Sequence, residues 1–283
     1  MKVIKAINNN NLCVLDDEGR EQIVSGKGIG FGKKYGDTVE PAQIEKTYLI
    51  TDSELQKKMI SLLKEIPFEY MSFTNDIVEH IKKEDSSPLS ESLFVTLSDH
   101  IAFAIERKKN GMEFTNPLIE SIREAYPTEL KLGEYCVEQM RVRLGIEMSD
   151  DEAGFIAMHI INARFDTKMD DVYNITKMIN GCIEIAEYYY KATFDRSSAE
   201  FERFIVHLRY LAQRLFQNKP LPHAFDDDDV FVAMIKKTCK TQYKCALCIK
   251  DYIEKAYKKS INSDELITLT VHLKKISKMA DIQ

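Results

Sequence analysis

Four of the six histidines in this 283-residue chain fall into two pairs, His100 with His159 and His207 with His272. A neutral imidazole is a nucleophile near pH 7, so a histidine can accept and return a phosphoryl group. The neighbours fit that chemistry. Arg107 and Arg214 follow His100 and His207 by seven residues, two helical turns along the same face, and Arg203 precedes His207 by four. A guanidinium so placed can fork onto phosphoryl oxygens. A single histidine on an apolar helix face reads equally well as a packed core residue; four at matching positions exceed what packing requires. Glu152 and Glu265 likewise precede His159 and His272 by seven. Ser149 with Glu152, and Asn262 with Glu265, also have the N-cap and N3 spacing of a capping box, and the two roles are compatible.

The matching positions belong to a repeat. SDDEAGFIAMHI (149–160) aligns with NSDELITLTVHL (262–273), and FVTLSDHIAFAIER (94–107) with FERFIVHLRYLAQR (201–214). The offsets, 113 and 107, differ by an internal insertion of six residues. Apolar residues at helical spacing predict helices from Ser53 onward and near 69–83, 91–109, 116–125, 129–144 and 150–164. A polar stretch, Arg164–Asp171, reads as a linker. Helices near 172–192, 198–217, 228–240, 242–258 and 263–279 follow. The second copy departs from the first at 218–235, where NKPLPHAFDDDDVFVAMI replaces FTNPLIESIREAYP (114–127).

Residues 2–50 have a different texture. Short apolar runs (Val3–Ile7, Leu12–Leu15, Ile23–Val24, Tyr48–Ile50) alternate with turn signals, which predicts a small antiparallel sheet. Asn8–Asn11 and Asp16–Gly19 read as hairpin turns, the asparagines tolerating left-handed backbone. Gly26, Gly28 and Gly30 are expected inside a following strand, where glycine admits a ligand or another backbone. So small a sheet buries little core and is expected to dimerise. Net charge is −6, yet residues 1–36 hold six Lys/Arg against four Asp/Glu, so nucleic-acid contact fits this end better than the rest.

Other chemistries find no support. No apolar run reaches the length of a membrane span, and MKVIKA lacks the apolar core of a signal peptide, so a cytoplasmic protein without membrane insertion is expected. Cys239, Cys245 and Cys248 lack a local fourth ligand and read as buried, reduced thiols; no metal or cofactor is expected. Asp226–Asp229 reads as a solvated helix start. Gly26-Lys27-Gly28-Ile29-Gly30 does not open a helix, so it is no nucleotide loop, and no nucleophile elbow appears. The chain reads as a non-enzyme.

Together these segments resemble one family over essentially the whole chain, the BglG/SacY/LicT-type transcriptional antiterminators. INNNNLCVLDDEGREQIVSGKGIGFGKKYGD (7–37) is similar to the family's co-antiterminator RNA-binding domain. The resemblance implies a multidomain protein: a small all-β antiparallel RNA-binding domain (1–55), then two all-α helical-bundle regulatory domains (66–169 and 172–283). It puts Lys5, Asn8, Asn10, Gly26, Lys27, Gly28 and Phe31 at RNA-contacting positions, although Asn8–Asn11 also reads as a plain turn. It makes His100, His159, His207 and His272 phosphorylation sites, with Arg107, Arg203 and Arg214 as phosphate-stabilising candidates. The implied partners are a leader RNA hairpin, the phosphocarrier protein HPr, a sugar permease (enzyme II) of the phosphotransferase system, and a second copy of the chain. In such families the permease inhibits through the first module and HPr activates through the second. Two other classes stay open, a DNA-binding activator with the same regulatory modules and a phosphohistidine relay protein without RNA.

Overall fold

The computed structural model describes residues 1–49, 52–84, 88–165, 169–219, 221 and 230–280. It divides into two compact units, Met1–Phe114 with Tyr135–Glu152, and Thr115–Glu134 with Ala153–Gln283. The first unit opens with β1 (Lys2–Asn8), β2 (Asn11–Leu15), β3 (Glu21–Ser25) and β4 (Lys46–Tyr48), an antiparallel meander in that order. Branched apolar side chains suit a pleated, half-buried surface, and Val3, Leu12, Val14 and Val24 pack with Ile29 and Val39 as the sheet's core. The β2–β3 turn is tied by Asp16, whose Oδ1 accepts from the amides of Glu18 (2.9 Å) and Arg20 (2.8 Å).

The glycine segment is not a strand. β3 ends at Ser25, and residues 27–32 form successive turns, with Ile29 N donating to Gly26 O and Phe31 N to Gly28 O. Glycine weakens a strand interior and favours turns, and here the turns prevail. The asparagine turn also differs from expectation: a two-residue connection, Asn9–Asn10, joins β1 to β2 without a left-handed asparagine. Ile50, expected at the end of β4, lies outside the described residues.

Eleven helices are described: α1 (Ser53–Glu65), α2 (Phe68–Glu84), α3 (Ser92–Lys109), α4 (Ile119–Ala125), α5 (Pro127–Leu144), α6 (Asp150–Phe165), α7 (Met169–Tyr190), α8 (Ala199–Phe216), α9 (Val230–Thr238), α10 (Lys240–Tyr257) and α11 (Ser263–Ala280). Asp52 caps α1, accepting from Leu55 N at 2.7 Å. Within the first unit, α1 packs on β1 and α3, and Tyr48 of β4 stacks on Phe94 of α3 at 4.7 Å. Within the second, α8, α10 and α11 pack on α7, and α11 also packs on α8 and α10.

Helix lengths repeat between the two copies: α3 and α8 have 18 residues each, as do α5 and α10. The six-residue difference falls wholly between them, in 110–126 of the first copy and 217–239 of the second. The polar stretch 164–171 is less of a linker than its composition indicates. α6 runs to Phe165 and α7 begins at Met169, with Asp170 and Asp171 at its positive dipole end. Residues 166–168 and Asp226–Asp229 lie outside the described residues. Among those described, no helix is long and apolar enough to cross a membrane.

Candidate RNA interface and histidine clusters

The asparagine turn and the glycine loop are stitched together. Asn8 Oδ1 accepts from Asn10 N (2.8 Å) and from Asn11 Nδ2 (3.0 Å), while Asn8 Nδ2 donates to Leu63 O of α1. Asn10 Oδ1 accepts from Gly28 N (2.8 Å), Asn10 O from Gly26 N (3.0 Å), and Asn9 O from Gly30 N (2.9 Å). This side-chain-closed turn explains why no asparagine needs a left-handed backbone. The loop approaches so closely that a Cβ on Gly30 would stand 2.1 Å from Asn8 O, and one on Gly26 would stand 2.2 Å from Gln43 O. Gly28 faces open space at φ +72°.

Of the residues matched to RNA contact, Asn8 and Gly26 help hold the turn pair in shape, while Lys5, Lys27, Gly28 and Phe31 are exposed. Phe31 is 77% exposed, an apolar ring with no core to fill. Tyr35, 82% exposed four residues on, is a second such ring, one that motif and spacing did not single out; an aromatic inside a Lys- and Gly-rich turn was the available signal. Asn10 and Lys27 also line a 470 Å³ cleft with Phe68, Glu69, Phe73 and Arg143 of the first helical copy.

In the first copy, Glu152 joins the expected players. His100 Nε2 lies 2.6 Å from Glu152 Oε1, and Arg107 Nη2 donates to Glu152 Oε2 at 2.9 Å. Arg107 and Glu152 are each 5% exposed, and the guanidinium lies over the Phe103 and Phe114 rings at 5.1 and 4.4 Å. His159 stands on α6, half-buried, in the other compact unit.

The second copy repeats the arginine–carboxylate pair and changes the histidines. Arg214 Nε and Nη2 donate to the two oxygens of the fully buried Glu265 at 2.7 and 2.8 Å. His207 and His272 stack at 4.3 Å, their planes 17° apart. Burial pushes the His207 pKa down to about 3, aided by the charges of His272 and Arg214. Burial and then Lys275 lower that of the half-buried His272. Both rings are thus neutral at pH 7, the protonation state a nucleophile requires. Arg203 is exposed and faces Glu200 at 3.7 Å.

Capping and chemistry separate here. Asn262 Oδ1 does accept from Glu265 N at 2.9 Å, but Glu152 N bonds the Ser149 carbonyl (3.1 Å), and both carboxylates turn to arginine instead of closing a capping box. Arg107 and Arg214, placed by sequence for phosphoryl oxygens, already hold carboxylates. Cys239 and Cys245 are buried as expected, but Cys248 is exposed, on the outer face of α10. Among the described residues no cluster of three or more His, Cys, Asp or Glu is placed to hold a metal.

The CAT RNA binding domain family matches residues 1–57, and the PRD domain family matches 75–163 and 180–276. The chain is 36% identical to the transcription antiterminator LicT of Bacillus subtilis, over 99% of this chain and 100% of that protein. It is 34% identical to the beta-glucoside operon antiterminator of Dickeya chrysanthemi, over 98% and 96%. A crystal structure of GlcT CAT-PRDI, 33% identical, covers 58% of this chain and 97% of its own with a TM-score of 0.51. With a match to the CAT RNA binding domain followed by two matches to the PRD domain, and with LicT similar over its whole length, the chain belongs to the BglG/SacY/LicT-type family of transcriptional antiterminators.

Proposed function

We propose that this chain binds an RNA hairpin in a nascent leader transcript and prevents a terminator from forming, under the control of histidine phosphorylation. The observation that carries the RNA part is the stitched turn pair, which holds Lys27, Gly28 and the bare Phe31 ring on one rigid edge. RNA is read at loops and bulges by aromatic stacking, amide hydrogen bonds and close backbone approach, with lysine on phosphate. The working species is a homodimer, since the sheet's core of six buried side chains is small for independent stability.

Residues 1–55 serve as the RNA-binding domain, 66–169 and 172–283 as the regulatory domains. Their phosphoryl donors are HPr and a sugar permease, and the acceptors are His100, His159, His207 and His272. The half-buried His272 is the more open ring of its stacked pair and receives phosphate ahead of His207.

A gel shift of the full chain against hairpin RNA and duplex DNA tests the reading, paired with a terminator-readthrough reporter. Preference for hairpin RNA and raised readthrough are expected. Preference for duplex DNA would overturn it in favour of a DNA-binding activator.

A further inference from the structure

We infer that Glu152 is a built-in stand-in for the phosphoryl group of His100, holding Arg107 until phosphorylation replaces it. The inference rests on the reading of His100 as a phosphoryl acceptor. Glu152 Oε1 lies 2.6 Å from His100 Nε2, so a phosphoryl group bonded to Nε2 would claim the space this carboxylate fills. The other carboxylate oxygen holds Arg107 at 2.9 Å. One anion therefore bridges ring and guanidinium, as a phosphoryl group on Nε2 would. Arg107 is nineteen-twentieths buried, and its Nε has no hydrogen-bond partner among the described residues, so it keeps a donor that a three-oxygen phosphoryl group can use. Arg214 differs, since its Nε and Nη2 are both committed to Glu265. Of the two arginines, Arg107 is the one that keeps a buried Nε without a partner among the described residues.

The donor is a carrier protein bearing phosphohistidine. Once Glu152 has left Nε2, the ring proton that faced the carboxylate is lost to solvent while Nδ1 takes one up, so the Nε2 lone pair is free; it attacks phosphorus and a new N–P bond forms. The donor's N–P bond breaks, and its ring leaves with that electron pair as neutral imidazole, each ring keeping the proton on its far nitrogen. Glu152 and the phosphoryl group are like charges and cannot share the site, so the carboxylate swings out and Arg107 exchanges partners. Glu152 thus acts as a positioning residue, opposing phosphorylation and keeping the guanidinium in place for it.

The test uses the full chain, labelled by a phosphohistidine carrier protein, with His100 followed by peptide mass spectrometry and the linkage by ³¹P NMR. Label on His100 Nε2 is expected. Glu152→Gln should raise its initial labelling rate several-fold, and Arg107→Met should shorten the half-life of the phosphoryl group several-fold. Because either single change breaks a buried pair, the neutral double variant Glu152→Gln/Arg107→Gln is included, with its fold checked by thermal melting. It should label quickly and lose phosphate quickly. Label on Nδ1, or rates and half-lives within two-fold of the parent in all three variants, overturns the inference while leaving His100 as an acceptor. No label on His100 in the parent overturns both; hairpin binding, measured separately, stays a test of the RNA reading alone.

Discussion

Phe31 and His207 mark two opposite uses of a ring. Phe31 is held out by a turn closed by its own backbone, with Phe31 N donating to Gly28 O, and its ring fills no core, so the ring costs the fold nothing when removed. Phe31→Ala is predicted to weaken hairpin binding by about 1–3 kcal/mol, one lost stacking platform, with the melting curve unchanged. Filter binding of the two proteins checks both halves of that statement. His207 is held in, and its charged form is excluded from the fold. The unfolded chain takes up a proton near pH 6.5, whereas the folded one resists to about pH 3. The stability linked to this ring is therefore fully present above about pH 6.5 and lost progressively down to about pH 3, on the order of 3–5 kcal/mol in all. Replacing it with an uncharged ring, His207→Phe, should flatten that stretch of the pH–stability curve measured by denaturant titration.

At the scale of elements, the glycine loop and the arginine–carboxylate latches do the positioning. Gly30→Ala drives a Cβ to 2.1 Å from the Asn8 carbonyl, a clash with backbone that cannot turn aside. It is predicted to unfasten the asparagine turn, abolishing RNA binding and lowering the melting temperature. Gly28→Ala meets open space and carries only left-handed strain, about 1 kcal/mol, with binding retained in part. Equal losses at the two positions, in melting and filter binding, would contradict this division. The latches tie α3 to the start of α6, and α8 to the start of α11, with one acidic residue at the third helical position of each later helix. Breaking one partner of such a buried pair costs about 3–5 kcal/mol, so the pairs hold these helix starts firmly until something else takes the arginine.

For the whole molecule, two copies of one helical design that differ at their histidines can respond differently to the same modification. The first copy sets His100 against a buried carboxylate; the second stacks two neutral rings. An added charge would disturb each in its own way, and in the proposed dimer a few kcal/mol would suffice to bias a two-state equilibrium. His→Asp substitutions, partial charge mimics, are predicted to weaken readthrough at His100 or His159 and to raise it at His207 or His272. A terminator-readthrough reporter measures the sign at each position, and equal signs in the two copies would remove the proposed division of labour.

Periodicity and turn chemistry make much of this protein legible in its amino-acid sequence. The strand and helix order, the two copies and the six-residue gap follow from the recurrence of Leu, Ile and Phe at helical spacing and from Asn, Asp and Gly between short apolar runs. Those signals are local, so one chain read in order contains them. Tertiary structure alone decided where side chains are spent. Glu152 and Glu265 carry a capping signature, yet their carboxylates cross to arginines 45 and 51 residues away. Asn8 and Gly26 match RNA-contacting positions, yet they fasten the turn that displays Phe31. Gly26, Gly28 and Gly30 alternate as in a strand, yet they form turns that dock on the asparagines. A buried donor takes whichever acceptor the fold brings within about 3 Å, and that distance depends on how elements pack, which spacing along the chain does not encode.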